Sequence, residues 1–321
     1  MCLVEDEKIS GGKPMDKILK KRKNGVTPRM KQLIKKHVFV YAMLAVAIMH
    51  FCVFYIYINL DSFLLAFQDQ HTGEWGFGNF RLFFDDISLG AQSEILISLK
   101  NTMIYFVVGL LINLFSFILS YFIYKKIMLW KFFRFVFVIP MIVSSVVLVA
   151  VYSNMLTAGG PVDVIWRKIF GQDAPSLLYS APYATWSIVL FVIWTGLGMN
   201  IILFSGAMNR IPESVIEYGK IDGVKPMREM FQIVLPMIAP TFGTIMLLSC
   251  INVFGASGPI LLFTKGMHGT STISYWMYDK VIVRQQFGYA SAFGLILTVC
   301  SLPIFFIMRW LMKKLPEDIE Y

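Results

Sequence analysis

Six stretches of this chain are continuously apolar, at about 38–60, 101–124, 133–156, 185–206, 233–255 and 288–312. Each is near the length of roughly twenty residues that carries an α-helix across the ~30 Å hydrocarbon core of a bilayer. That core offers no partner for an open backbone N–H or C=O, so only helices or a closed barrel can cross it. The blocks do not alternate apolar and polar residues as barrel strands do. The expected fold is therefore all-α: a polytopic membrane protein with six transmembrane helices. The composition agrees, since only 15% of the 321 residues are charged and 57% are hydrophobic, where a soluble domain carries about 25% charged residues.

Lysine and arginine set the expected orientation. Eleven precede the first block, four lie in each of the loops 125–134 and 207–232, and three at the C-terminal end, together 22 of the 29. The loops 61–100, 157–184 and 256–287 hold the other seven. Both termini and the loop 207–232 are thus expected in the cytoplasm. The net charge of +9 is mostly this topology signal. No nucleic-acid motif accompanies the basic residues, so no nucleic-acid partner is expected. The basic tail, residues 1–37, is an orientation signal that can also touch anionic lipid. It is too long for the leader of a cleaved signal peptide, and the first apolar block exceeds a signal-peptide core, so an uncleaved first span is expected.

The four cysteines and four histidines fall at scattered positions, with no metal-ligand or catalytic spacing and no phosphate-binding loop. No metal or cofactor is expected on this chain, and no catalytic residue. None of the six blocks carries an acidic residue in its interior, as ion-coupled carriers working alone require. His50 is the one imidazole near midspan.

Residues 207–232 contain Arg210, Glu213, Glu217, Lys220, Asp222, Lys225, Arg228 and Glu229. At about 2.5–3.5 kcal/mol per charge at a membrane centre, lipid burial is excluded. Pro212 suits a helix start, Glu213 suits its positive end, and Asp222-Gly223 is a stop signal. Pro226 can open a second short helix. A helix of about ten residues is marginal alone in water, so this one must pack, either on its own bundle or on a cytoplasmic partner. Gly219 leaves a bare spot where another surface can come close.

The stretch "EYGKIDGVKPMREMFQIVLP" resembles the EAA motif of permeases in binding-protein-dependent ABC importers. Glu217, Gly223, Ile233, Leu235 and Pro236 stand at the motif's spacings, with Asp222 before the glycine. Tyr218 and Gly219 stand where the motif has two alanines, so either the receiving groove is wider or Tyr218 points sideways. "SLKNTMIYFVVGLL" is similar to the start of the permease core, where a Ser-x-x-Asn-Thr opens the second span, and "FRFVFVIPMIVSS", "NRIPESVIEYG" and "YASAFGLIL" are similar to stretches of the carbohydrate-uptake branch. The resemblance covers about 95–312, as a permease core with spans 2–6 and the coupling loop 207–232. It leaves 1–37 as a tail, 38–94 as the first span with its outer loop, and 313–321 as a C-terminal end.

The resemblance implies a heteromeric importer in a prokaryotic inner or plasma membrane. A second permease subunit, two ATPase subunits holding ATP and magnesium, and an extracytoplasmic solute-binding protein would be its partners. The chain would form part of the path for a sugar or oligosaccharide. It implies short cytoplasmic coupling helices between spans 4 and 5, with Glu217 in polar contact with an ATPase and Gly223 setting the turn. Tyr218, Gly219 and Asp222 complete that group. A permease for a non-sugar solute, or a stand-alone transporter or channel, is the alternative.

Polar side chains within spans face a neighbouring helix or a cavity. The candidates are Thr195, Asn200, Ser249 and Asn252, beside Trp194 and Phe254, with Gly196 and Gly198 allowing close packing or room for a ligand. Inter-helix hydrogen bonds and a lined path are both open at this point. If there is a path, Trp194, Gly196, Asn200, Ser249 and Asn252 are its expected residues. Asn113 and Pro140 are expected to serve packing and a kink.

Overall fold

The computed structural model describes residues 28–69 and 72–312. The tail through residue 27 and the C-terminal end 313–321 lie outside them. The described residues are helical apart from turns and one isolated bridge between Gln68 and Trp75. The chain divides into two units, Met1–Asp61 and Ser62–Tyr321.

The described residues of the first unit form one helical run. Helix α1 (Pro28–Phe51) passes through a π-helical stretch, Cys52–Tyr57, into Ile58–Ala66. The apolar part, His37–Ala66, is long enough to cross a membrane. The His50 ring lies against Phe54 one turn later, tilted by 33° with ring centroids 4.7 Å apart.

The second unit begins at Ser62, within the last helix of that run. The Asn79 amide, in α2 (Gly78–Ser88), donates to the carbonyls of Ala66 and Gln68 at 3.1 and 3.0 Å, closing the helix end that has no further turn to satisfy it. Its main elements are α3 (Glu94–Tyr124), α4 (Trp130–Ile142), α5 (Ser145–Leu156), α6 (Pro161–Phe170), α7 (Ala181–Met208), α8 (Glu213–Ile221), α9 (Ala239–Ile251) and α10 (Phe287–Met312). Among the described residues of the whole chain, five helical segments, His37–Ala66 included, can cross a membrane by length and composition, and six if one bent pair counts as a span.

The centre of this unit is α3 against α7. A stripe on α3 explains the pairing: Ser98, Asn101, Thr102, Tyr105, Asn113, Ser116 and Ser120 recur at close to helical spacing and are all buried. Ser116 and Ser120 hydroxyls donate to the Leu197 and Ile201 carbonyls of α7. At the other end Asn101 donates to the Gly269 and Ser271 carbonyls, each at 2.7 Å, and Thr102 accepts from the Ile273 backbone. The Ser-x-x-Asn-Thr at the start of α3 therefore pins the 269–273 loop.

Two apolar blocks differ from their expected form. The third, 133–156, is two helices, because Val143 is extended and Ser144, with ψ of 132°, is also out of the helix. The break falls at a β-branched and two serine residues, where helix propensity is weak, and not at Pro140, which lies buried inside α4. The fifth, 233–255, is bent. Pro226–Met237 and Ala239–Ile251 meet at 79°. Pro236 and Pro240 each remove one N–H from successive turns, and Pro240 disfavours helical geometry at Ala239. Helix α9, of 13 residues, covers only about 20 Å.

The loop after α9 dips into the bundle rather than staying outside it. A side chain at Gly258 would meet Ile188 and Val192 of α7 at 2.9 and 3.1 Å. Non-helical backbone at that depth is tolerated because protein covers it.

Candidate functional site

Two regions gather the residues singled out above. The first is the polar segment between α7 and α9. Pro212 precedes α8 at its N-cap rather than sitting in its first turn, and Glu213 occupies that turn. At the other end Val224 N–H donates to the Gly219 carbonyl at 3.0 Å and Gly223 N–H to the Lys220 carbonyl at 3.1 Å. This is a Schellman closure, and it requires the left-handed φ of +70° that Gly223 adopts.

The two faces of α8 differ. Ile216 and Gly219 are buried, and Ile216 joins Phe117, Tyr121, Phe204, Met208, Met230 and Val234 in one apolar cluster. A Cβ at Gly219 would lie 3.1 Å from Ile233 Cδ1. The bare spot at Gly219 is thus filled by this chain's own bundle. Glu217, Asp222 and Gly223 are exposed. Tyr218 is 69% exposed and Ile221 79%, an unusual position for two large apolar side chains on a nine-residue helix. The apolar side chains of α8 are thus split between its faces, Val215 and Ile216 against the bundle and Tyr218 and Ile221 outward.

The segment is anchored to α3. Lys125 Nζ donates to both carboxylate oxygens of Glu229, at 2.7 and 2.9 Å, and Tyr121 donates to the Pro226 carbonyl at 2.9 Å. Glu229 is 2% exposed. Sequence reasoning listed Glu229 only among charges that exclude lipid burial. Its partner lies in another basic loop, and nothing local in the sequence pairs them.

The second region is a cleft of about 400 Å³ between α3, α7 and α9. Asn113 is its centre. Its amide nitrogen donates to Ser249 Oγ at 2.8 Å, and its oxygen accepts from Asn200 Nδ2 at 2.7 Å. Asn252, at the end of α9, lines the same cleft, with Tyr105 and Phe106 on the α3 wall and Gly255 to Ser257 of the dipping loop beyond. The Tyr105 hydroxyl is buried without a protein partner. A side chain at Gly255 would collide with the Asn252 amide.

Asn200, Ser249 and Asn252 therefore come together. Trp194 and Gly196 do not line this cleft. Trp194 packs edge-on against Phe191, with centroids 6.1 Å apart. A Cβ on Gly196 would lie 3.3 Å from Ile112, so this glycine serves helix packing. Thr195 bonds its own helix, at the Phe191 carbonyl. Asn113, Tyr105 and Phe106 were missed. For Asn113 and Tyr105 the available signal was the polar stripe along α3.

Comparison with known proteins agrees with this architecture. Residues 112–316 match the family described as binding-protein-dependent transport system inner membrane component. A probable ABC transporter permease of Bacillus subtilis, YesP, is 26% identical over 63% of this chain and 67% of its own length. The polygalacturonan/rhamnogalacturonan transport system permease YteP of the same organism is 24% identical over 91% and 94%. The multiple sugar-binding transport system permease MsmF of Streptococcus mutans is 26% identical over 51% and 60%. Among solved structures, a chain of a bacterial ABC transporter that imports the acidic polysaccharide alginate superposes with a TM-score of 0.75 at 21% identity, over 90% of this chain and all of that one. A second, from the alginate transporter in complex with alginate pentasaccharide-bound periplasmic protein, gives 0.74 at 23%, over 90% and 99%. These two establish a shared fold. With nearly two thirds of its length matched to the family, this chain belongs to the inner membrane components of binding-protein-dependent transport systems.

Proposed function

We propose that this chain is a transmembrane permease subunit of an ATP-driven importer for a sugar or oligosaccharide, and that α8 is its handle on a separate ATPase. The observation that carries the reading is the two-faced α8: Ile216 and Gly219 seat it on the bundle while Glu217, Tyr218 and Ile221 face outward. A helix fixed at both ends and seated on the spans moves with whatever grips its outer face, and rocks those spans when ATP closes the partner. Tyr218 enlarges the gripped face, so the partner's groove is wider than one built for two alanines.

In this reading both termini and α8 face the cytoplasm of a prokaryotic cell. A second permease completes the path, two ATPase subunits hold ATP and magnesium, and an extracytoplasmic protein delivers the solute. The cleft around Asn113, Asn200, Ser249 and Asn252 lies on the path, where amide and hydroxyl groups beside the Tyr105 and Phe106 rings suit a carbohydrate. Support for the solute class comes from relatives named for multiple sugars and for polygalacturonan and rhamnogalacturonan. A relative named for sn-glycerol-3-phosphate, 27% identical over 69% of this chain, favours a small phosphorylated solute as the second reading.

The test is purification of the chain from its own cell. An ATPase and a second permease should accompany it, and reconstituted vesicles given the binding protein should accumulate an oligosaccharide only with ATP inside the compartment facing α8. Accumulation by the chain alone, without ATP, contradicts the reading.

A further inference from the structure

A groove of about 420 Å³ runs along the outside of α4, away from the Asn113 cleft. Its mouth holds Lys131 and Arg134, and its wall is Phe135, Val138, Ile142 and, from α7, Ile202. Residues 131, 135, 138 and 142 fall at helical spacing on one face of α4. The groove exists because the two helices touch beside it. A Cβ at Gly198 would lie 2.7 Å from the Phe137 carbonyl oxygen, and Ile202, one turn further along α7, forms the floor.

The charges and the apolar wall are in an order that matters. From Lys131 to Ile142 the helix rises about 16 Å, which is half of the ~30 Å hydrocarbon thickness. All the charge is at one end and the other end has none. Among the described residues neither Lys131 nor Arg134 has an ion-pair partner. Trp130 stands at the charged end with Lys131 Nζ 5.6 Å from its ring centroid, an arrangement suited to the boundary between headgroups and acyl chains. Phe135 and Ile142 are 64% and 76% exposed.

We infer that this groove is a binding site for one anionic phospholipid of the leaflet on the basic side of the chain. The phosphate sits between Lys131 and Arg134 and one acyl chain lies along Phe135, Val138 and Ile142 over Ile202. Basic pockets between transmembrane helices on that side select anionic headgroups. A zwitterionic lipid meets the same apolar wall but carries no net charge to offset the two cations. A protein surface would have to supply an acid beside both cations and a flat apolar face a leaflet long, which a phospholipid carries by construction.

The experiment takes the full chain in mild detergent, with whatever subunits accompany it. It is titrated with dioleoyl phosphatidylglycerol and separately with dioleoyl phosphatidylcholine, and bound lipid is read by native mass spectrometry. Phosphatidylglycerol should remain bound where phosphatidylcholine does not. Lys131→Gln with Arg134→Gln should weaken it by about tenfold or more. Ile202→Trp, which fills the groove and leaves the charge intact, should weaken it as well. Lys131→Arg with Arg134→Lys should retain it, which separates loss of charge from loss of fold. Equal retention of the two lipids overturns the site, as does phosphatidylglycerol binding untouched by both the charge and the filling variants. Crosslinking of position 135 or 142 to a second protein subunit in place of lipid also overturns it, and assigns the face to an interface.

Discussion

Lys125, the residue that closes α3, holds the buried carboxylate of Glu229 with two hydrogen bonds, of 2.7 and 2.9 Å, although 104 residues separate them in the chain. The ion pair ties the segment after α8 to the helix whose other faces build the Asn113 cleft. It links the place where a partner would push to the place where a solute would pass. Removing one partner strands the other, and a buried carboxylate left without its cation is the costlier half.

Lys125→Met should therefore destabilise more than Glu229→Gln. Because Lys125 is 21% exposed, the cost of Lys125→Met is reduced by solvent, to about 2–3 kcal/mol. Thermal unfolding of the purified protein measures both. The double variant Lys125→Met with Glu229→Leu should recover part of the loss, and a double variant less stable than either single one contradicts the pairing.

Gly223→Ala should cost about 1–2 kcal/mol, because the Schellman closure needs a left-handed residue that alanine adopts at a penalty. Gly223→Asn should cost less, since asparagine tolerates that conformation. Protection of the Val224 amide against hydrogen exchange reads the closure directly, and equal protection in the alanine variant would show that the turn does not depend on glycine.

At Gly219 the neighbour is the far end of a flexible side chain, Ile233 Cδ1, 3.1 Å from a Cβ. Alanine should be nearly neutral, as a gain of roughly 1 kcal/mol in helix propensity offsets a small shift of Ile233. Leucine should lift α8 from the bundle and expose it to proteolysis. Intact Gly219→Leu under conditions that leave the parent intact would mean that this face is not seated.

The Asn113 hub is testable by its neighbours. Asn113→Leu leaves Asn200 and Ser249 without their shared partner, and should impair transport at least as much as the Ser249→Leu, Asn252→Leu double variant. If the cleft is on the path, the double variant changes the solute concentration dependence of uptake and not merely the amount of protein inserted. Unchanged transport kinetics in the double variant would remove the cleft from the path.

How much of this was legible in the sequence depends on the range of the interaction. The apolar blocks announce crossing helices because bilayer thickness is a local length requirement, and Gly223 announces a turn because one φ angle is local chemistry. Asn113 reads as a packing residue in the sequence because a lone asparagine in an apolar run has no visible partner. The partners sit 87 and 136 residues further along the chain. The polar stripe along α3 was there to be seen, but only the α7 and α9 backbones say which part of it faces a cleft. Gly219 shows the converse, since a missing side chain invites close approach without naming what approaches. The break at Val143–Ser144 and the bend at Ile238 hide within runs whose hydropathy is unbroken.

Coupling to a motor subunit turns on the outward face of α8, and Glu217→Lys tests that face most directly. Vesicles carrying this variant, its partner subunits and the binding protein should hold a normally inserted chain and lose ATP-driven uptake by about tenfold or more, the effect of removing a charge-assisted contact and opposing it with a like charge. Full uptake by Glu217→Lys would mean that this face of α8 does not couple the chain to its motor.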